Sequence, residues 1–186
     1  MMPAYPLILS ANTLDGAALA NSVAATSILP ASAICAIPGG TLQVGSHLKI
    51  TLRGRISTVV TTPGTLTLDL RLGGIVVSAF GVINLNIVAQ ANASWEVSLI
   101  ATVRSIGSGA AATALCTGDF ISRAVVGSPA VTAGSAGEVI LPDVAPAVGA
   151  GFDSTLALSV NVFATWSVAS VSNSIQVHQA LVELKV

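Results

Sequence analysis

The sequence predicts an all-β protein, an antiparallel β-sandwich of jelly-roll type with an extended N-terminal arm. Three observations carry this. Alternating segments recur, the clearest being TLTLDLRL at 65–72, where Leu66, Leu68, Leu70 and Leu72 point one way and Thr65, Thr67, Asp69 and Arg71 the other. Gly and Pro punctuate the chain between such segments, and no stretch carries a three-turn amphipathic helix. With 186 residues the chain suits one sandwich-sized core. We therefore expect residues 1–21 to be the arm and 22–186 a single domain.

Taken in order, residues 1–21 show no sustained period and contain Pro3, Pro6 and Gly16, which reads as an extended arm or a peripheral strand. Some helical propensity lies in DGAALANSVAA (15–25), enough for one short helix at most. SVAATSILP (22–30) and SAICAIP (32–38) are short runs closed by proline, and read as two strands or one bent strand near an edge. In LKITLRGRIS, Ile50, Leu52 and Ile56 face inward, and Gly54 falls in the same register, the mark of a bulge or a close crossing. TTPG (61–64) reads as a β-turn joining strands 48–60 and 65–72 into a hairpin, with Asp69 and Arg71 opposite Arg53 or Arg55. Gly73-Gly74 turns the chain again into IVVSAFGVINLNIV, apolar enough for burial on both sides or for a subunit contact.

SWEVSLIATVR (94–104) places Trp95, Val97, Leu99, Ala101 and Val103 on one face, with Ile100 the exception on the polar one. Residues 112–127 form a further strand, or two broken near Thr117-Gly118. Residues 127–153 form a long excursion with a short strand at Val139 to Leu141, and two alternating stretches, 154–170 and SIQVHQALVELKV, close the chain. Both Trp95 and Trp166 sit in apolar register, which assigns them to the core.

Composition narrows the function classes. Charged residues are 8% of the chain, against about 25% in ordinary domains. Mean hydropathy is +0.85, yet the longest apolar run, 75–89, is broken by Ser78, Asn84 and Asn86 and falls short of a membrane-spanning helix. One Tyr, two Trp and four Phe leave no aromatic girdle for an outer-membrane barrel. No Lys or Arg precedes Lys49, which argues against a secretory leader and weakens the Asn92-Ala93-Ser94 sequon. Seven scattered basic residues and a net charge of −1 argue against nucleic acid. Such a neutral surface points to other protein as its destination.

Catalytic constellations are weak. His47 and His178 can be joined on paper to a serine and to Asp119, Asp143 or Asp153, but no nucleophile elbow accompanies them. Asp69, Glu96 and Glu183 lie on strands and could converge, but a sugar-cleaving cleft also needs aromatic platforms. RSIGSGAA lacks the GK[ST] of a phosphate loop. Cys35 and Cys116 lack disulfide-framework or zinc spacing and read as buried thiols. We expect no enzyme, no cofactor and no metal.

Several segments carry a resemblance: the ILP at 28–30, LKIT at 48–51 following Gly45, PGTLTL at 63–68, RAVVGSPAVTAG at 123–134, and Trp166-Ser167 followed by Asn173-Ser174-Ile175. In this order, from about Asn21 to Leu184, the chain resembles small jelly-roll virion proteins of tailed bacteriophages. The resemblance implies a homotrimeric head decoration (cement) protein that binds the major capsid protein on the outer capsid surface and stabilises the head. It places the protein in the virion, and in the host cytoplasm during assembly. The neighbouring reading is a tail- or fibre-associated jelly-roll module that binds carbohydrate. From patterning, the arm residues Tyr5, Leu7, Ile8, Leu9 and Leu14 are the expected capsid contact, and Ile75, Val77, Phe80, Val82 and Leu85 the expected trimer interface.

Overall fold

The computed structural model describes residues 6–59, 61–126 and 137–186. Among the described residues twelve strands form two antiparallel sheets that face each other across one continuous apolar core. The seven-stranded sheet runs β1(Leu7–Ala11), β12(Ser174–Lys185), β5(His47–Thr58), β8(Gln90–Ser105), β9(Thr113–Ser122), β10(Glu138–Leu141), with β2(Leu19–Ala20) also pairing with β12. The five-stranded sheet runs β3(Thr26–Ser27), β11(Leu158–Trp166), β6(Thr65–Leu72), β7(Ile75–Asn84), with β4(Cys35–Ile37) also on β11. The longest strands occupy the centre of the larger sheet, where both edges of β5 are hydrogen-bonded to neighbours.

That placement corrects one expectation. β5 and β6 are not a hairpin: β5 pairs with β12 and β8, and β6 with β11 and β7. The link after Thr58 carries the chain from one sheet to the other, so the leucines of TLTLDLRL meet Ile50, Leu52 and Ile56 across the core rather than beside them. Six residues readily span the roughly 10 Å between packed sheets. The expected Asp69 or Arg71 contact with Arg53 or Arg55 is therefore absent; Asp69 and Arg71 pair with each other, and Arg53 pairs with Glu96.

β6 and β7 are the hairpin. Leu72 pairs with Ile75 across Gly73-Gly74, whose φ values of +58° and +90° suit the tight turn that a twisted two-strand ribbon needs. Register shifts in this pairing insert extra residues in β7, so its buried positions become Val77, Phe80 and Ile83, spaced by three instead of two. Two backbone features cover the outer edge of β7: the Asp143 N–H donates to the Phe80 carbonyl at 3.4 Å, and Gly149 packs directly on the Val77 carbonyl.

At the opposite side, β3 and β4 lie one after the other along β11, separated by the short 3-10 turn Ala31–Ala33. This is the bent edge strand that the two proline-closed runs suggest. The 15–25 stretch forms no helix. Leu19–Ala20 pairs with Ser174 and Ile175 instead, and tertiary pairing overrides a weak local preference. Over its described part the N-terminal segment takes the form of a peripheral strand: Leu7–Ala11 lies at the edge on β12. Asn12 clamps the same strand, donating to the His178 carbonyl at 2.7 Å and accepting from the Ala180 N–H at 2.6 Å.

Gly54 fulfils its sequence signal. A side chain there would overlap the Gln176 carbonyl oxygen and press on the Trp95 indole, because β12 crosses close and then bulges at His178. Trp95 is buried beneath it and stacks on Phe120, ring centres 5.5 Å apart.

Candidate assembly surface

The few charges are distributed unevenly. Nine of the fifteen charged residues lie on strands of the larger sheet: Lys49, Arg53, Arg55, Glu96, Arg104, Asp119, Glu138, Glu183 and Lys185. Alternation points their side chains outward, because their neighbours in sequence fill the core. Arg53 and Glu96 form a two-point pair at 2.9 and 3.2 Å, and Arg55 donates to Gln176 at 2.9 Å. The smaller sheet carries only Asp69 and Arg71. They pair at 3.3 Å, and the Arg71 guanidinium lies 3.8 Å from the Phe163 ring centre. Around them Thr65, Thr67, Asn161 and Thr165 present a neutral, half-buried face.

Four links at one end of the sandwich carry no charge, and Arg123 borders them, its carbonyl accepting from the Asn86 amide at 3.5 Å. The links 21–25, 59–64, 85–89 and 167–173 contain no Asp, Glu, Lys or Arg. Hydrogen bonds hold their described residues together: Thr61 N–H to the Ile87 carbonyl at 2.8 Å, Thr65 N–H to the Ser167 hydroxyl at 2.7 Å, and Asn21 N–H to the Ser170 carbonyl at 3.2 Å. The centre of this end is Asn173, 0% exposed. Its carbonyl oxygen accepts from the Val59 N–H at 2.9 Å, and its amide donates to the Pro63 carbonyl at 2.9 Å and to Val168 at 3.5 Å. The Trp166-Ser167 and Asn173 motif is thus a structural clamp: the Trp166 indole donates to the Leu19 carbonyl at 3.3 Å, and Ser167 and Asn173 fasten the loops. Above the clamp Val23, Ile87, Val88, Val168 and Val171 are exposed, Val171 to 80%.

The expected contact residues are only partly gathered. Tyr5 lies outside the described residues. Leu7, Ile8 and Leu14 are exposed along the β12 edge, whereas Leu9 packs against the core. Of the expected interface set, Ile75 and Val82 are exposed, but Val77 and Phe80 are 0% exposed and Leu85 is buried, so those three cannot touch a neighbour. The irregular register of β7 is the reason for Val77 and Phe80, and Leu85, just past β7, is bridged to Val125. Sequence reading missed the five valine and isoleucine positions of the neutral end, whose only signal is the absence of charge from four separate links.

The acids Asp69, Glu96 and Glu183 do not converge: the first is on the other sheet, and Glu183 pairs in register with Lys49, four residues from the Arg53 that holds Glu96. His47 contacts the Thr102 hydroxyl at 3.2 Å, and His178 lies 3.0 Å from Asp15. Asp153 serves a loop, accepting from the Gly109 N–H at 2.7 Å. Burial pushes the Cys116 thiol up to about 11 and raises that of Cys35, so neither is a thiolate at neutral pH. Burial also raises the Asp119 carboxyl, helped by Glu138 and Glu96 and opposed by Lys49. Among the described residues no three His, Cys, Asp or Glu side chains gather as a metal site, and no helix is long and apolar enough to cross a membrane.

The charged face carries an open groove of about 730 Å³ above Gly54, lined among others by Arg53, Glu96, Ile121, Arg123 and His178. Comparison with family models, with curated proteins and with solved structures gave no match to this chain.

Proposed function

We propose that this protein is a virion structural protein of the capsid-decorating kind. It binds the major capsid protein on the outer surface of a tailed-phage head as a homotrimer, and reinforces the shell. The observation that carries the reading is the set of four charge-free links at one end, of which Asn173 fastens 59–64 to 167–173, and which expose Val23, Ile87, Val88, Val168 and Val171. A rigid apolar platform lacking charge suits a protein partner, because desolvating it costs little and covering a side chain as exposed as Val171 contributes about 1–2 kcal/mol. The β5–β12 and β6–β11 pairings, which lay the last two strands on the first two of the main sandwich, support a jelly-roll type of winding. The neutral smaller sheet, with Ile75 and Val82 exposed on its edge strand β7, is the surface assigned to the trimer contact.

The test is decoration of phage heads that lack the protein. Val88→Asp and Val171→Asp, both at exposed positions, should fold normally and lose head binding by at least about tenfold, since each buries a charge at the contact. Undiminished occupancy by both variants would refute the assignment of this end. Sedimentation of Val82→Asp separately tests the trimer surface, and an unchanged trimer would remove the smaller sheet from that role.

A further inference from the structure

We propose that the groove above Gly54 binds a saccharide bearing a negative charge, a carboxylate or a phosphate. The groove is built by the backbone. β12 lies close over Gly54, and the bulge that follows turns two successive residues, His178 and Gln179, away from the core and into the groove wall. Bulges of this kind re-aim side chains beside binding sites. The resulting volume of about 730 Å³ lies within the range of small-ligand sites and suits one to three sugar rings.

The lining chemistry selects the ligand class. Asn92, Ser94 and Gln179 offer amide and hydroxyl groups of the kind that match sugar hydroxyls. Ile121, exposed beside them, supplies an apolar patch for the C–H face of a ring. Arg53 is held by Glu96 through two contacts, which fixes both and leaves the pair nearly neutral. The Nδ1 atom of His178 is engaged by Asp15, so its ring is held in place at the rim. Arg123 differs: among the described residues no acid lies within ion-pair distance of it, and residues 127–136 contain no Asp or Glu. One unneutralised guanidinium at the end of a groove rich in hydroxyl and amide groups favours an anion carried on a sugar. The groove lies on the charged face and borders the neutral end at Arg123, whose carbonyl accepts from the Asn86 amide, so the unmounted protein is the form in which its ligand is tested.

Isothermal titration of the full-length protein tests this with four probes: trigalacturonate for the carboxylate, mannose 6-phosphate for the phosphate, maltotriose as the neutral sugar, and inorganic phosphate as the bare anion. The expected result is binding of trigalacturonate or mannose 6-phosphate, at least about tenfold tighter than maltotriose and inorganic phosphate, with Arg123→Gln abolishing the difference. Whichever charged sugar binds identifies the source of the anion. Arg104→Gln, near the far end of β8 and outside the groove, should bind as the parent does. Equal binding of maltotriose, equal binding of inorganic phosphate, affinity unchanged by Arg123→Gln, or no binding of either charged sugar would each overturn the proposal. Head decoration plays no part in the measurement, so its outcome and that of the capsid test are independent.

Discussion

Replacing Asn173 by alanine isolates the clamp that fastens the neutral end. The substitution removes two hydrogen bonds of 2.9 Å, from the Val59 N–H and to the Pro63 carbonyl, and a longer one to Val168. Each good bond contributes about 1 kcal/mol net, and a backbone group left buried without a partner costs about 1–3 kcal/mol more. Asn173 itself is fully buried, so water does not readily replace the lost partners. The expected loss is about 3 kcal/mol, which in a chain of this length lowers the melting temperature by roughly 6–12 °C. Urea unfolding at fixed protein concentration, followed by circular dichroism, should show a lower midpoint with an unchanged slope. Asn173→Asp is the sharper companion. It keeps the acceptor for Val59 but turns a carboxylate toward two carbonyl oxygens, which raises its folded-state pKa. Its destabilisation is therefore full at neutral pH and fades as the pH falls through that raised value. A loss under about 1 kcal/mol for the alanine variant, or a pH-independent deficit for the aspartate, would show that links 59–64 and 167–173 are held by something other than this side chain.

Two further outcomes follow from the same geometry. Gly54→Ala should prevent folding or cost more than about 3 kcal/mol, because the added methyl overlaps the Gln176 carbonyl, whereas Gly74→Ala, where nothing lies within 4 Å and only the positive φ is strained, should cost about 1 kcal/mol by thermal melting. Asp119→Asn should raise the melting temperature at pH 7: burial, Glu138 and Glu96 push this carboxyl up in the folded chain, so the folded state holds its proton more tightly than the unfolded state. The advantage of the amide variant should shrink as acidification protonates the parent's carboxyl, and melting curves from pH 7 down to pH 4 would check that sign.

Strand positions were legible where one face is buried and the other is not. TLTLDLRL and the Trp95 strand declare their inward residues by alternation alone, and Gly54 announces a close crossing because no other residue in that register lacks a side chain. Pairing was not legible. Thr61 to Gly64 has the chemistry of a tight turn, yet the partner of each flanking strand is fixed by which apolar faces oppose across the core, a non-local matter. β7 defeated alternation outright, since inserted residues shift its period and bury Phe80 where a regular strand would place it differently. The neutral end escaped notice for another reason: no single link is unusual, and only non-local hydrogen bonds, through Asn173, Thr61 and Asn21, bring the four together.

The cover that residues 142–149 lay along β7 limits how copies can join. A bare strand at that position would let one molecule extend the sheet of the next without limit, as fibrils grow. With the Phe80 carbonyl already bonded and Gly149 seated on Val77, that route requires prying off the chain's own segment. Copies crowded at high local concentration are thereby steered away from open-ended growth through this edge and toward contacts made by faces and loop tips, which can close on a fixed number of partners.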